Sequence, residues 1–192
     1  MPQFDLRHIQ VANYAASGST ITYTNKLSVG DAMAVNLALR FAEGRLYAEG
    51  ALSEMLRMAI GGTISIGVKY IPDAAKKQMY GSTEKSRTVG SKTVKSLVTG
   101  KNDSPAYQGV SCYAPDMVDK VKKYTCFFVH CATFGQPDTQ LQTLGESITF
   151  QTPTTTGEFL PDAAGDLIES VTVDTEAEAI AWCDAVLGGA SA

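Results

Sequence analysis

Positive charge is in short supply here, apolar runs are short, and histidine is nearly absent. The 192 residues carry 16 Lys and Arg against 20 Asp and Glu, a formal charge of -4. That balance argues against the basic face that grips phosphates by displacing counterions, so tight nucleic-acid binding is not expected. No run approaches the roughly 18 apolar residues of a membrane span, and Met1 to Gln10 (MPQFDLRHIQ) lacks the apolar core of a secretory signal. The expectation is a soluble protein made in a cytoplasm. Cys112, Cys126, Cys131 and Cys183 form no CxxC pair, and a reducing compartment would keep them as thiols that behave as small buried apolar residues.

Catalytic constellations are also missing. The only histidines are His8 and His130, and no serine stands in a G-x-S-x-G elbow. His130 lies beside Cys131 and four residues from Cys126, yet along a strand Cys126 and Cys131 point to opposite faces, which favours packing over a metal site. Gly90-Ser91-Lys92-Thr93 shares the end of a phosphate-binding loop but lacks the adjacent Gly-Lys and the earlier glycine, position 85 being Lys. Gly61-Gly62 with Gly67 has no strand-turn-helix context for a dinucleotide, and a tight turn accounts for it. Glu43, Glu49 and Glu54 could hide a carboxylate pair, although a solvated acidic face is the simpler reading. Asn102-Asp103-Ser104 is a formal glycosylation sequon followed by Pro105, with no secretory signal to make it matter. No cofactor, metal or catalytic residue is expected.

What is present reads as strands. A chain of this length with 44% hydrophobic content suits one domain, 1-192, with a sizeable core. Period-two alternation marks Arg7 to Ala15 and Met33 to Phe41, the latter with Met33, Val35, Leu37, Leu39 and Phe41 on one side. Gly44 to Met58 suits a helix or an irregular hairpin. Thr63 to Tyr70 alternates again and runs into Pro72, which fits the first position of a short helix, Asp73 to Tyr80, closed by Gly81. Residues 82–105 are rich in Ser, Thr, Lys and Gly and read as an exposed loop or loose hairpin with a short strand near Val94 to Val98. Further strands are expected at Tyr107 to Tyr113, Lys123 to Phe134, Glu146 to Gln151 and Glu169 to Val173, with the one around Phe127 and Phe128 covered on both faces. After Pro153, Thr154 to Gly157 either continues as a strand past a kink or forms a loop at a subunit contact. A closing helix follows, with Thr175 and Glu178 as a capping box, Ile180, Cys183 and Leu187 on one face, Trp182 packed into the core, and Gly188-Gly189 as the stop. Residues 188–192 read as a flexible tail. Strands following strands, with two short helices added, indicate a mainly β protein of antiparallel sandwich or barrel type with a flanking α-helix.

The stretch YAPDMVDKVKKYTCFFVHCATFGQPDTQLQTLGESITFQTPTTTGEF, followed by an acidic strand and DTEAEAIAWCDAVL, resembles the C-terminal half of the major tail proteins of long-tailed bacteriophages, the tail tube subunits. ITYTNKLSVGDAMAVNLALRFAEGRLYAEG is similar to the same family's polar turn, alternating strand and Tyr-Ala-acidic segment, here Leu46-Tyr47-Ala48-Glu49-Gly50 where the family usually has aspartate after the alanine. The resemblance implies a structural virion protein without enzymatic activity. Its implied form is a β-sandwich flanked by a helix, assembled as hexameric rings whose inner strands join into a continuous barrel. The stacked rings make the tube that conducts double-stranded DNA into the host.

Implied partners are further copies of the chain, the tape-measure protein, the tail terminator and baseplate or distal tail proteins, in a virion tail assembled in the host cytoplasm without membrane insertion. On this reading Met33, Val35, Leu37, Leu39, Thr63, Ser65, Gly67 and Lys69 line the lumen, and the hairpin bearing Glu43, Glu49, Leu52, Glu54, Met55 and Leu56 reaches the adjacent ring. Its three carboxylates would add negative potential near the channel. Ile180, Trp182, Cys183 and Leu187 pack the helix onto the sheet. The tube of a contractile tail or a tail-derived bacteriocin shares the pattern. A ligand-binding β-sandwich and a small enzyme are the readings from other classes, the first weakened by a lone tryptophan and the second by the missing acid-base pair.

Overall fold

A computed structural model describes residues 5–18, 20–49, 51–118, 120–138, 143 and 152–188. Among these described residues, ten strands and two helices follow in chain order: β1 (Arg7–Ser17), β2 (Thr20–Ser28), β3 (Ala32–Ala48), β4 (Ala51–Val68), α1 (Asp73–Tyr80), β5 (Thr83–Val89), β6 (Lys92–Val98), β7 (Gln108–Val118), β8 (Val121–Phe134), β9 (Thr154–Phe159), β10 (Ile168–Val173) and α2 (Glu176–Val186). The protein is mainly β, with antiparallel pairing in every strand pair. The strand expected at Glu146 to Gln151 and the last residues of the tail, 189–192, lie outside the described residues.

The main sheet runs β2-β1-β7-β8-β9-β4-β3, with β10 on β8 as well. Laid flat, β2 and β3 would be six strand spacings apart, about 29 Å. The chain passes from Ser28 to Ala32 in four residue steps, about 14 Å at most, so the sheet has to curl until its two ends approach. Gly30 makes the passage possible: its φ is +131°, and a Cβ there would collide with the carbonyl oxygen of Tyr70. β8 is where the sheet divides, since Tyr124 to Val129 pairs with β10 and Ala132 to Phe134 with β9.

The curled sheet encloses a core of Ile9, Val11 and Val29 from one end, Ile64, Ile66, Val68 and Phe159 from the other, and Val110, Val129 and Phe134 between them. Helix α1 closes it with Ala75, Met79 and Tyr80. Pro72 serves as its N-cap rather than its first helical residue, and Gly81 at φ 70° ends it, donating to the carbonyl of Lys77. On the opposite side of β7 and β8, α2 buries Cys183 and Leu187 and half-buries Ile180 and Trp182 against Tyr113, Tyr124, Cys126 and Phe128. β7, buried from Gln108 to Asp116, and much of β8 are therefore covered twice, as the apolar run around Phe127 and Phe128 requires. The capping box of α2 is complete: Thr175 Oγ1 accepts from Glu178 N at 3.2 Å and Glu178 Oε2 accepts from Thr175 N at 3.0 Å.

Of the two readings of Gly44 to Met58, the hairpin is the one found: the segment is the far half of the β3–β4 ribbon, with a register shift between Leu46 and Tyr47. Of the two readings of residues 82–105, exposed loop or loose hairpin, the hairpin is found: β5 pairs along its length with β6, which extends the strand expected near Val94 to Val98 back to Lys92. Thr154 to Phe159 continues as a strand after Pro153 and pairs with both β4 and β8. β2 was not legible as a strand, because TITYTNKLS offers polar residues on both sides and buries none of them fully.

Candidate functional site

Two surfaces built from β3, β4 and β9 stand out. The first is the outer face of the sheet where these strands lie side by side. Pairing sets Ala34 by Gly67, Asn36 by Ser65 and Ala38 by Thr63, and continues Gly67 to Thr154, Ser65 to Thr156 and Thr63 to Glu158. Strand β9 alternates strictly, so Thr155, Gly157 and Phe159 turn inward while Thr154, Thr156 and Glu158 turn out. The result is an even surface of alanine, glycine, serine, threonine and asparagine, bearing Glu158, with Arg40 and Lys69 at its margins.

This register divides the expected lumen set. Val35, Leu37 and Leu39 lie opposite Ile66, Ile64 and Gly62, on the core face, where Val35 and Leu37 are half-buried against the core. Thr63, Ser65 and Gly67 lie on the other face, so one wall cannot present both groups. Met33 sits at a bulge, exposed, and Lys69 is exposed with Asp31 at 3.8 Å. Val35 and Leu37 are thus corrected from lumen to core, and Ala34, Asn36 and Ala38 take the outward positions.

The second surface is an arm. Beyond Phe41 and Ala59, β3 and β4 pair, among the described residues, only with each other, for about eight residues or about 25 Å. Phe41, Glu43, Arg45, Met55 and Arg57 share one face, and Ala42, Gly44, Leu46, Glu54, Leu56 and Met58 the other. Leu46, Met55, Leu56 and Met58 are 58, 51, 64 and 58% exposed. An isolated ribbon apolar on both faces is poorly stable in water, and a cluster of this kind normally marks a contact. Glu43 is flanked by Arg45 at 3.4 Å and Arg57 at 3.3 Å, and Arg57 stacks over the Phe41 ring at 4.0 Å. The two arginines offset the carboxylates expected to charge this hairpin. Glu49 and Glu54 are exposed; Leu52 belongs to β4, but its side chain lies outside the described residues.

The strongest chemical cluster surrounds His130. Its Nδ1 lies 2.8 Å from Asp162 Oδ2, and Nε2 is 4.0 Å from Glu169. Asp162 Oδ1 accepts from the amides of Ala164 at 2.8 Å and Asp166 at 2.9 Å, and the Tyr14 hydroxyl accepts from Ala163 N. Burial alone would raise the Asp162 carboxyl, but those amides and His130 hold it below the usual carboxylate range. Cys131 shares this side of β8: the register shift that sets Val110 by Val129 but Gln108 by Ala132 interrupts the alternation between Cys126 and Cys131. Burial and the Asp162 charge push its thiol up to about 11, so it offers no nucleophilic thiolate at neutral pH. The cluster locks the β9–β10 loop against β1 and β8. All four cysteines are buried and unbridged. Burial pushes Cys112 up to about 12.

Among the described residues, no group of three or more His, Cys, Asp or Glu could hold a metal ion, and no helix is long and apolar enough to cross a membrane. Gln108, buried, accepts from Gln78 of α1 at 3.0 Å and donates to Asn13 of β1 at 2.8 Å, a polar tie that sequence reasoning missed because it joins three distant elements. Compared with protein-family models the chain matches none, and no curated protein matches it.

Proposed function

We propose that this chain is a structural subunit that polymerises as stacked hexameric rings into the tail tube of a long-tailed bacteriophage. The observation that carries the reading is the β3–β4 arm, which exposes Leu46, Met55, Leu56 and Met58 on a ribbon that the described residues leave uncovered. On this account the arm docks on the adjacent ring and gains its order there. Within a ring, β3 stands at one end of the strand order, so its free backbone groups pair with the next subunit and the sheets join into a barrel, which removes the open edges.

The outer face of β3, β4 and β9 then lines the lumen. Alanine, glycine and hydroxyl side chains make a wall without strong anchors, and Glu158 repels phosphates, so a duplex slides past it. The tape-measure protein during assembly, and the terminator and baseplate proteins at the ends, are the partners this role requires. No reaction is part of it.

Negative-stain electron microscopy of the purified full chain at high concentration tests the proposal. Hollow tubes or six-fold rings are expected; particles of monomer size alone at every concentration would contradict it.

A further inference from the structure

The β5–β6 hairpin is left without a role by the surfaces above. It forms its own two-stranded sheet, every β5 residue is exposed, and Val89 and Val94 are 65 and 47% exposed. Pairing places Lys85 by Ser96, Arg87 by Val94 and Val89 by Lys92, which gathers three cations on one face. On the other face Lys95 is held by Glu84 at 2.7 Å. Among the described residues Lys85, Arg87 and Lys92 make no ion pair.

The chain carries the complement of this face at its other end. All 16 Lys and Arg lie at or before Lys123, whereas half of the 20 Asp and Glu lie after it. The later half of the chain builds β9, the loop to β10, β10 and α2. Asp166, in the loop after β9, and Glu169, on β10 beside β8, are both exposed and without a Lys or Arg partner among the described residues.

We infer that the cationic face of the β5–β6 hairpin docks on the acidic surface that Asp166 and Glu169 form on a second copy of this chain. One patch meeting a different patch is a head-to-tail contact, the kind that closes into rings when the rotation permits. Opposite charges give that contact its partner choice and speed more than its strength. The inference rests on the self-assembly proposed above but concerns a surface separate from the arm.

Sedimentation of the full chain at low and high salt tests it, comparing the wild type with the variant Lys85→Glu, Arg87→Glu, Lys92→Glu. All three positions are exposed, so matching melting temperatures serve as the folding control. At low salt the variant is expected to self-associate about tenfold more weakly, with the gap shrinking as salt screens the contact. Mixing it with the complementary variant Asp166→Lys, Glu169→Lys should restore association. A hairpin variant that assembles like the wild type overturns the inference and leaves the tube reading standing; a wild type that never self-associates removes both. If the wild type retains a DNA duplex in a gel shift, and the variant releases it while assembling normally, the hairpin's partner is nucleic acid and the inference fails.

Discussion

At the residue scale, stability depends on a few polar and glycine positions that alternation does not reveal. Asp162 is the clearest, because its carboxylate receives two loop amides and faces His130. Asp162→Ala should cost about 1–3 kcal/mol at neutral pH, read by chemical denaturation. The pH dependence has a definite sign. A carboxylate held below its unfolded value of about 3.9 adds stability that is full above that value and is lost as pH falls through the lower folded value. The gap between wild type and Asp162→Ala should therefore close in acid, not in alkali. Gly30 is the second case: at φ +131° against the Tyr70 carbonyl, Gly30→Ala should lower stability by about 2 kcal/mol or more on thermal unfolding. The sequence shows a glycine and an aspartate at these places, but their contacts cross between elements distant in the chain.

At the element scale, local signals were legible where a local rule decides the outcome. Thr175 with Glu178 specifies the start of α2, and Thr175→Ala should cost about 1 kcal/mol. Gly81 ends α1, and the double apolar face of β8 places that strand between two layers. Legibility failed where pairing decides. Leu46, Met55, Leu56 and Met58 fit either a helical or a strand period, and only their registry with β3 makes them an exposed arm. The same registry divides Val35 and Leu37 from Thr63 and Ser65: two strands can each alternate cleanly, and the sequence still leaves open which phase of one meets which phase of the other. β2 escaped notice because it buries nothing fully.

At the scale of the whole molecule, a sheet curled around one core and covered by α2 leaves three features that the packing of the described residues does not use: the arm, the small-residue face of β3, β4 and β9, and the cationic hairpin. Their separation fits a subunit that makes contacts in more than one direction. The account predicts that folding and assembly are separable in the arm, since Leu46, Leu56 and Met58 are exposed and surface changes usually shift stability by no more than about 0.5 kcal/mol. The most direct measurement is the sedimentation profile of Leu46→Ser, Leu56→Ser, Met58→Thr beside the wild type across protein concentration, with melting temperature in parallel. The account predicts large assemblies for the wild type and monomers for the variant at nearly the same melting temperature. A variant that assembles as the wild type does would contradict it.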